Sequence, residues 1–138
     1  MRKAGSFSAT VQGVVTGSLT GDATIFVRKD GTHLYLSANT DQMMALKVMI
    51  SAEVVWPTHS NASRHQIPDD AAKPTTIATI QWERLDTRER HTATATGSID
   101  LDGKDPMSGR FDLTAKDGAA TLKLSGTFKD APVMEGIN

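Results

Sequence analysis

Apolar and polar residues alternate along most of this chain, and short turn signals separate the alternating runs. The clearest runs flank the dipeptides Asp30-Gly31 and Asp117-Gly118. Alternation with a period of two is typical of strands that bury one face. Asp-Gly is a strong signal for a two-residue hairpin, because glycine accepts a positive φ without a Cβ clash. The pattern therefore predicts an all-β protein built from antiparallel hairpins.

The two Asp-Gly turns also predict strand registers. Folding the chain about either turn brings apolar residues together on one face and polar or aromatic residues on the other. A slip of one residue would mix the two sets. The pairs expected to face each other are Val27 with Leu34 and Phe26 with Tyr35 in the first hairpin, and Leu113 with Leu122 and Asp112 with Lys123 in the second.

A third hairpin is predicted where residues 75–85 and 88–101 flank Asp86-Thr87. Asp-Thr is a poor two-residue turn, so we expect a longer loop. The implied register pairs opposite charges and small apolar residues. The expected pairs are Trp82 with His91, Glu83 with Arg90, Arg84 with Glu89, Ile80 with Ala93 and Ala78 with Ala95.

Two further alternating runs, over 7–15 and 46–54, bring the total to about eight strands in a single domain of 138 residues. We expect a short helical turn over 39–44. Residues 56–74 have no period and contain three prolines, so they predict one long loop. Residues 131–138 predict a flexible tail.

The order of these strands favours an up-and-down β-barrel, because successive hairpins form a meander and closure removes exposed sheet edges. A two-sheet β-sandwich is the alternative. In that case the chain would cross between sheets near the long loop.

The totals restrict the function. The chain has 15 basic and 16 acidic residues and no basic stripe, which argues against a nucleic-acid partner. It has no cysteine, which excludes disulfides, thiolate metal sites and cysteine nucleophiles. No apolar run reaches the roughly 18 residues of a membrane span. We expect no cofactor. The Thr/Ser-rich strands favour a periplasmic or extracellular location, and a cytoplasmic one fits nearly as well.

The predicted interior face carries many alanines and glycines. A barrel lined by such small side chains can leave room for a small apolar ligand. The alternative is a filled core in which small residues allow strand bending and close packing. The residues concerned are Ala9, Gly13, Ala23, Ala38, Ala52, Ala78, Ala93, Ala95, Gly97, Gly109 and Gly126.

Polar residues share the core-facing parity at the far end of the third hairpin, and they are candidate ligand-binding residues. They are Trp82, Arg84, Glu89 and His91. Charge on a core face is informative because an unpaired buried charge is costly. At a barrel mouth, Trp82 would stack on a ligand and Arg84 or His91 would anchor it. The alternative is a hairpin tip in water, with Arg84 and Glu89 paired.

Phe26 and Tyr35 are candidate interface residues, because the predicted register places both on the outer face. Such a pair suits a protein or carbohydrate contact, including a homodimer. The alternative is ordinary cross-strand stabilisation.

Catalytic and metal-binding chemistry has weaker support. The long loop contains His59, His65, Asp69 and Asp70, but their spacing matches no metal motif, so we predict no metal site. No nucleophile elbow or phosphate loop is present. The sequence thus predicts a non-enzymatic binding protein, first for a small apolar ligand inside a barrel. The alternatives are an interaction module that uses a sheet face and a small barrel enzyme with His91 or His59 as acid or base.

Overall fold

The computed structural model shows one curled β-sheet. It describes residues 5–13, 17–19, 24–30, 33–40, 46–55, 62–68, 72 and 76–135. These residues contain no helix. Their strands are β1 (Gly5–Gly13), β2 (Gly17–Leu19), β3 (Thr24–Asp30), β4 (His33–Asn39), β5 (Leu46–Val55), β6 (Ser63–Ile67), β7 (Ile77–Arg84), β8 (Arg90–Leu101), β9 (Met107–Asp117), β10 (Ala120–Ala131) and β11 (Val133–Glu135).

Eight of these strands form a ring of antiparallel neighbours. The order is β3-β4-β5-β7-β8-β9-β10-β1, and β1 returns to β3 through the pairs Gly5 with Ile25 and Ser6 with Thr24. The three short strands β2, β6 and β11 pair along the sides of this ring. The predicted all-β fold, with an up-and-down barrel-like sheet of about eight strands, is therefore confirmed.

The core lies on the concave side of the sheet, and buried residues alternate with more exposed ones along β1, β4, β5 and β7. Moving a large aliphatic or aromatic side chain out of water contributes about 1.5–3 kcal/mol. The largest fully buried side chains are Trp82, Phe128, Leu34, Leu46, Ile67, Ile80, Ile99, Leu113, Leu122 and Leu124.

The register of the first hairpin differs from the prediction by two residues. Asp30 pairs with His33, so the chain reverses one residue later than expected. Phe26 consequently lies opposite Ser37, and the predicted pair of Phe26 with Tyr35 is wrong. A displacement of two residues keeps the parity of the strand pairing, because the side-chain period of a strand is two.

The second hairpin is displaced in the same way. Asp117 pairs with Ala120, so Gly118 is the first central residue of the turn instead of the second. Its φ of +62° suits the first central position of a type II′ turn, which glycine favours. Leu113 therefore faces Leu124, two residues beyond its predicted partner.

The third hairpin has the predicted register. Trp82 pairs with His91 and Ile80 pairs with Ala93. The loop is longer than two residues, as expected. The Arg84 amide donates to the carbonyl of Glu89 at 2.9 Å, and the Arg88 amide donates to the carbonyl of Arg84 at 2.7 Å.

The predicted long loop over 56–74 contains a strand. β6 pairs with the second half of β8, from Ile67 opposite Gly97 to Ser63 opposite Leu101, whereas the first half of β8 pairs with β7. The sequence pattern missed β6 because Ile67 is its one fully buried residue. Backbone pairing with β8 holds this polar segment in the sheet.

The predicted tail also belongs to the sheet. Ala131 and Pro132 are buried, and β11 runs parallel to β3. The prediction of a flexible tail is therefore wrong for residues 131–135, while 136–138 lie outside the described residues. The expected helical turn over 39–44 falls mostly outside them too, and Asn39 itself ends β4.

Candidate functional site

The four predicted ligand-binding residues lie where the β7–β8 hairpin ends. Trp82 and His91 are cross-strand partners, and Arg84 and Glu89 close the hairpin through a backbone hydrogen bond. The indole of Trp82 is 2% exposed. The sequence therefore placed these residues together correctly.

The ring of His91 contacts three side chains, those of Asp117, Glu89 and Trp82. Its Nδ1 lies 2.8 Å from Asp117 Oδ2, and its Nε2 lies 3.3 Å from Glu89 Oε2. Its ring stacks on Trp82, with centroids 5.1 Å apart and an interplanar angle of 26°. The hydrogen bond to Asp117 is the larger cause, and that to Glu89 the next, of a pKa of His91 raised above its ordinary value.

These contacts match neither of the two predicted arrangements, a ligand stacked on Trp82 or a hairpin tip in water with Arg84 paired to Glu89. His91 itself occupies a face of Trp82, where a ligand was expected to stack. Arg84 pairs with Asp86 at 3.2 Å instead of with Glu89, which binds His91. The sequence missed Asp117 because this residue belongs to β9, in another hairpin.

Polar atoms without a hydrogen-bond partner are also found here. Among the described residues, the buried side-chain atoms of this kind are Trp82 Nε1, Arg84 Nε and Glu83 Oε2. A buried polar atom without a partner costs about 1–3 kcal/mol, so such atoms mark places where a ligand or water would be stabilised.

A cavity of about 380 Å³ lies on the outer side of the sheet, on the three strands β5, β7 and β8. Most of its wall comes from residues whose side chains alternate outward. Trp82 and His91 are the two members of the predicted set that border it. The lining residues are Lys47, Met49, Gln81, Trp82, Glu83, Arg90, His91 and Thr92.

Glu83 is the acidic residue in this cavity wall. Its side chain is 15% exposed, and Arg88 and Arg90 each approach its Oε2 at 3.6 Å. That distance is too long for a good hydrogen bond. The two arginines therefore balance the charge of the carboxylate, while its Oε2 accepts no hydrogen bond. Lys47 is its cross-strand neighbour on β5.

Of the two predicted interface residues, Phe26 and Tyr35, the structure describes only the side chain of Tyr35. The side chain of Phe26 lies outside the described residues. Tyr35 borders a second outer cavity, of about 330 Å³, on β4, β5 and β7. Ile77 in the same wall is 36% exposed, which is unusual for a large apolar side chain.

The interior of the barrel is occupied by side chains. Several of the small residues expected to line a hollow are buried among the large ones, including Ala9, Ala38, Ala52, Ala78 and Ala95. The two cavities above open on the outer face of the sheet. A small apolar ligand inside the barrel stays a prediction.

A second histidine occupies the β6 end of the molecule. Ser63 Oγ lies 2.8 Å from His65 Nε2. Burial lowers the pKa of His65, and the charge of Asp100 opposes this effect. On the outer face, Arg64 pairs with Asp100 at 3.0 Å. The sequence offered His65 only as a possible metal ligand, at a spacing that matches no metal motif, and gave no sign of its contact with Ser63.

The described residues present no group of three or more His, Asp or Glu side chains arranged to hold a metal ion. His59, Asp69 and Asp70 lie outside them. Both ring nitrogens of His91 face protein carboxylates, so neither is directed at a substrate. The Ser63–His65 pair borders neither of these two cavities. An acid or base role for His91 or His59 stays a prediction.

Comparison with protein-family models, with curated proteins and with solved structures finds no match for this chain. Within the described residues, no helix has the length and apolar character needed to cross a membrane.

Proposed function

We propose that this protein is a non-enzymatic binding module that holds a small hydroxylated ligand of carbohydrate type on its sheet face. The ligand would occupy the cavity on β5, β7 and β8. The observation that carries the proposal is Glu83, a largely buried carboxylate in the cavity wall whose Oε2 has no hydrogen-bond donor.

The size of the cavity suits such a ligand. Small-molecule sites in proteins typically measure about 300–1,000 Å³, and this cavity measures about 380 Å³. It also combines polar groups with an apolar contact, since Met49 is 39% exposed there. The C–H face of a sugar ring would lie against such a side chain.

The chemistry of the wall favours hydroxyl groups over purely apolar or purely anionic ligands. Glu83 accepts hydrogen bonds only, whereas Lys47 and Arg90 donate only. Gln81 and Thr92 do both. A hydroxyl group donates and accepts, so a ligand with several hydroxyls satisfies all of these groups at once. A fatty acyl chain would leave them without partners, at a cost in affinity.

The test is an NMR titration of the protein with a panel of neutral mono- and disaccharides. We expect at least one sugar to shift the amide signals of Gln81 and Thr92. Replacing the carboxylate with Glu83→Gln should weaken binding roughly tenfold, the usual effect of losing a hydrogen bond to a charged group.

Glu53→Gln is the matched control, because Glu53 lies on the outer face of β5 but borders the second cavity. Binding should be unchanged in this variant. Shifts that do not respond to Glu83→Gln would contradict the proposal, as would the absence of shifts with every sugar. A parallel titration with decanoate tests the other hypothesis, and shifts at Leu34, Ile80 and Leu124 would favour an apolar ligand in the interior.

A further inference from the structure

We infer that His91 forms a pH-dependent latch, with Asp117 and Glu89, that fastens the tip of the β7–β8 hairpin to the end of β9. We use "latch" for these three residues. The inference rests on their geometry and does not depend on the cavity or its ligand.

The contacts require the charged form of the ring. Ionised carboxylates only accept hydrogen bonds, so each ring nitrogen of His91 must carry a hydrogen to bind its carboxylate. A neutral imidazole has one N–H and satisfies one of the two. With Asp117 at 2.8 Å and Glu89 at 3.3 Å, the imidazolium is the form that fits. Its stacking on Trp82 adds a cation–π contact.

The latch lies where sheet pairing is interrupted. The ladder between β8 and β9 begins at Ala95 with Ala115, so residues 90–94 of β8 pair with β7 but not with β9. The hydrogen bond from His91 to Asp117 bridges this unpaired stretch. It therefore ties this part of β8 to the end of β9. On the other side of the hairpin, β7 is paired with β5 as far as Arg84.

The other charged groups nearby do not replace this contact. Arg84, on the same face of β7 as Trp82, binds Asp86. The remaining charges of the packed strands alternate to the outer face or are exposed there. They are Lys47 on β5, Glu83 on β7, Arg90 on β8 and Lys116 on β9.

Loss of the ring proton leaves one of the two hydrogen bonds and weakens it, because the donor is then a neutral imidazole and no longer a cation. The pKa of His91 is raised above 6.5, so this loss occurs on the alkaline side of that value. The hairpin tip should then separate from β9 more often, while the remaining ladders keep the barrel folded.

Hydrogen exchange followed by NMR tests the latch. The reporter amides are those of Ala95 and Thr96, the first residues of β8 in its ladder with β9. We expect their protection, corrected for the intrinsic rate, to fall roughly tenfold between about pH 5.5 and about pH 9. Amides of the β9–β10 ladder should not change. Equal protection of both Ala95 and Thr96 at the two pH values would overturn the proposal.

Two acid-to-amide variants on β9 sharpen the test. Asp117→Asn should move the transition to lower pH, because it removes the larger cause of the raised pKa. Asp112→Asn makes the same change in charge at an exposed site where the side chain binds Ser125 at 2.7 Å, and it should leave the transition in place. Identical transitions in the two variants would contradict the latch. No ligand is added, so a failure here is separate from a failure of carbohydrate binding.

Discussion

A histidine lies near each end of β8, His91 on the strand itself and His65 on the paired strand β6. The two environments shift the histidine pKa in opposite directions. Near the start of the strand, His91 lies between two carboxylates. Near its end, His65 lies opposite Ile99 and contacts the hydroxyl of Ser63. Hydrogen bonds to Asp117 and Glu89 raise the pKa of His91, whereas burial lowers that of His65. One residue type thus supplies a charged contact at one end and a neutral one at the other.

The two histidines give opposite dependences of stability on pH. The folded pKa of His91 is raised, so its contribution is fully present below pH 6.5 and is lost as the pH rises through the folded pKa. The folded pKa of His65 is lowered, so its contribution is present above pH 6.5 and is lost as the pH falls through the folded pKa. Together they predict greatest stability close to the ordinary histidine pKa.

The largest effect should come from Gly97, where β8 passes from pairing with β7 to pairing with β6. Its φ is +143°, and a Cβ there would lie 1.8 Å from the carbonyl oxygen of Asp112. We expect Gly97→Ala to lower the free energy of unfolding by about 3 kcal/mol or more, measured by urea denaturation.

The matched control is Gly118→Ala. Gly118 also has a positive φ, of +62°, but nothing lies within 4 Å of a Cβ at that position. The loss should be about 1 kcal/mol, the usual cost of the left-handed conformation. Equal losses in the two variants would show that close packing at the junction of the two halves of β8 does not matter.

The next largest effect should come from His91, near the start of β8. His91→Gln removes the imidazolium, so it should lower the free energy of unfolding by about 1–2 kcal/mol at about pH 5.5. At about pH 9, on the alkaline side of the ordinary histidine pKa, the difference should be smaller. Urea denaturation at both pH values measures this. A loss of equal size at the two values would mean that His91 acts through packing on Trp82 alone.

The neutral end should respond in the opposite sense. His65→Gln keeps a polar side chain that can bind Ser63 but removes the titrating ring. Above pH 6.5 the cost should be about 1 kcal/mol or less. At acidic pH the variant should lose less stability than the wild type, because no buried ring has to be protonated. Parallel acid-induced unfolding curves would contradict this assignment.

The smallest effect should come from the ion pair beside that end. The side chain of Arg64 is 66% exposed, so Asp100→Asn should cost about 0.5 kcal/mol or less, and added salt should reduce the difference. The same variant should lower the pKa of His65 further, because the charge of Asp100 raises it. A rise in that pKa would be inconsistent with the proposed surroundings of His65.

The sequence predicted what depends on neighbours along the chain. Trp82 and His91 belong to one hairpin, so their pairing followed from the alternation alone. The Asp-Gly turns gave the correct parity of the strand pairs but registers displaced by two residues. At Gly118 this displacement arises because glycine also fits the first central position of a tight turn. The local sequence pattern did not distinguish the type II′ turn at Gly118 from a turn with glycine at the second central position, so it did not give the correct register.

The parts that sequence reasoning missed depend on contacts between distant segments. Asp117 reaches His91 across two strands that are not paired at that point, and no local period records this. β6 was missed because its segment is polar and its backbone is held by β8. The alternation nevertheless drew attention to the β7–β8 hairpin, because it placed charged residues on a core face, where they require partners.

The most direct test of the opposed histidines is an NMR titration of the ring C–H signals of the four histidines. His91→Gln and His65→Gln assign the two relevant signals. We predict a pKa above 6.5 for His91 and below 6.5 for His65, each measured in the folded protein. Two signals that both titrate at the ordinary value, or that titrate in the reverse order, would contradict the account.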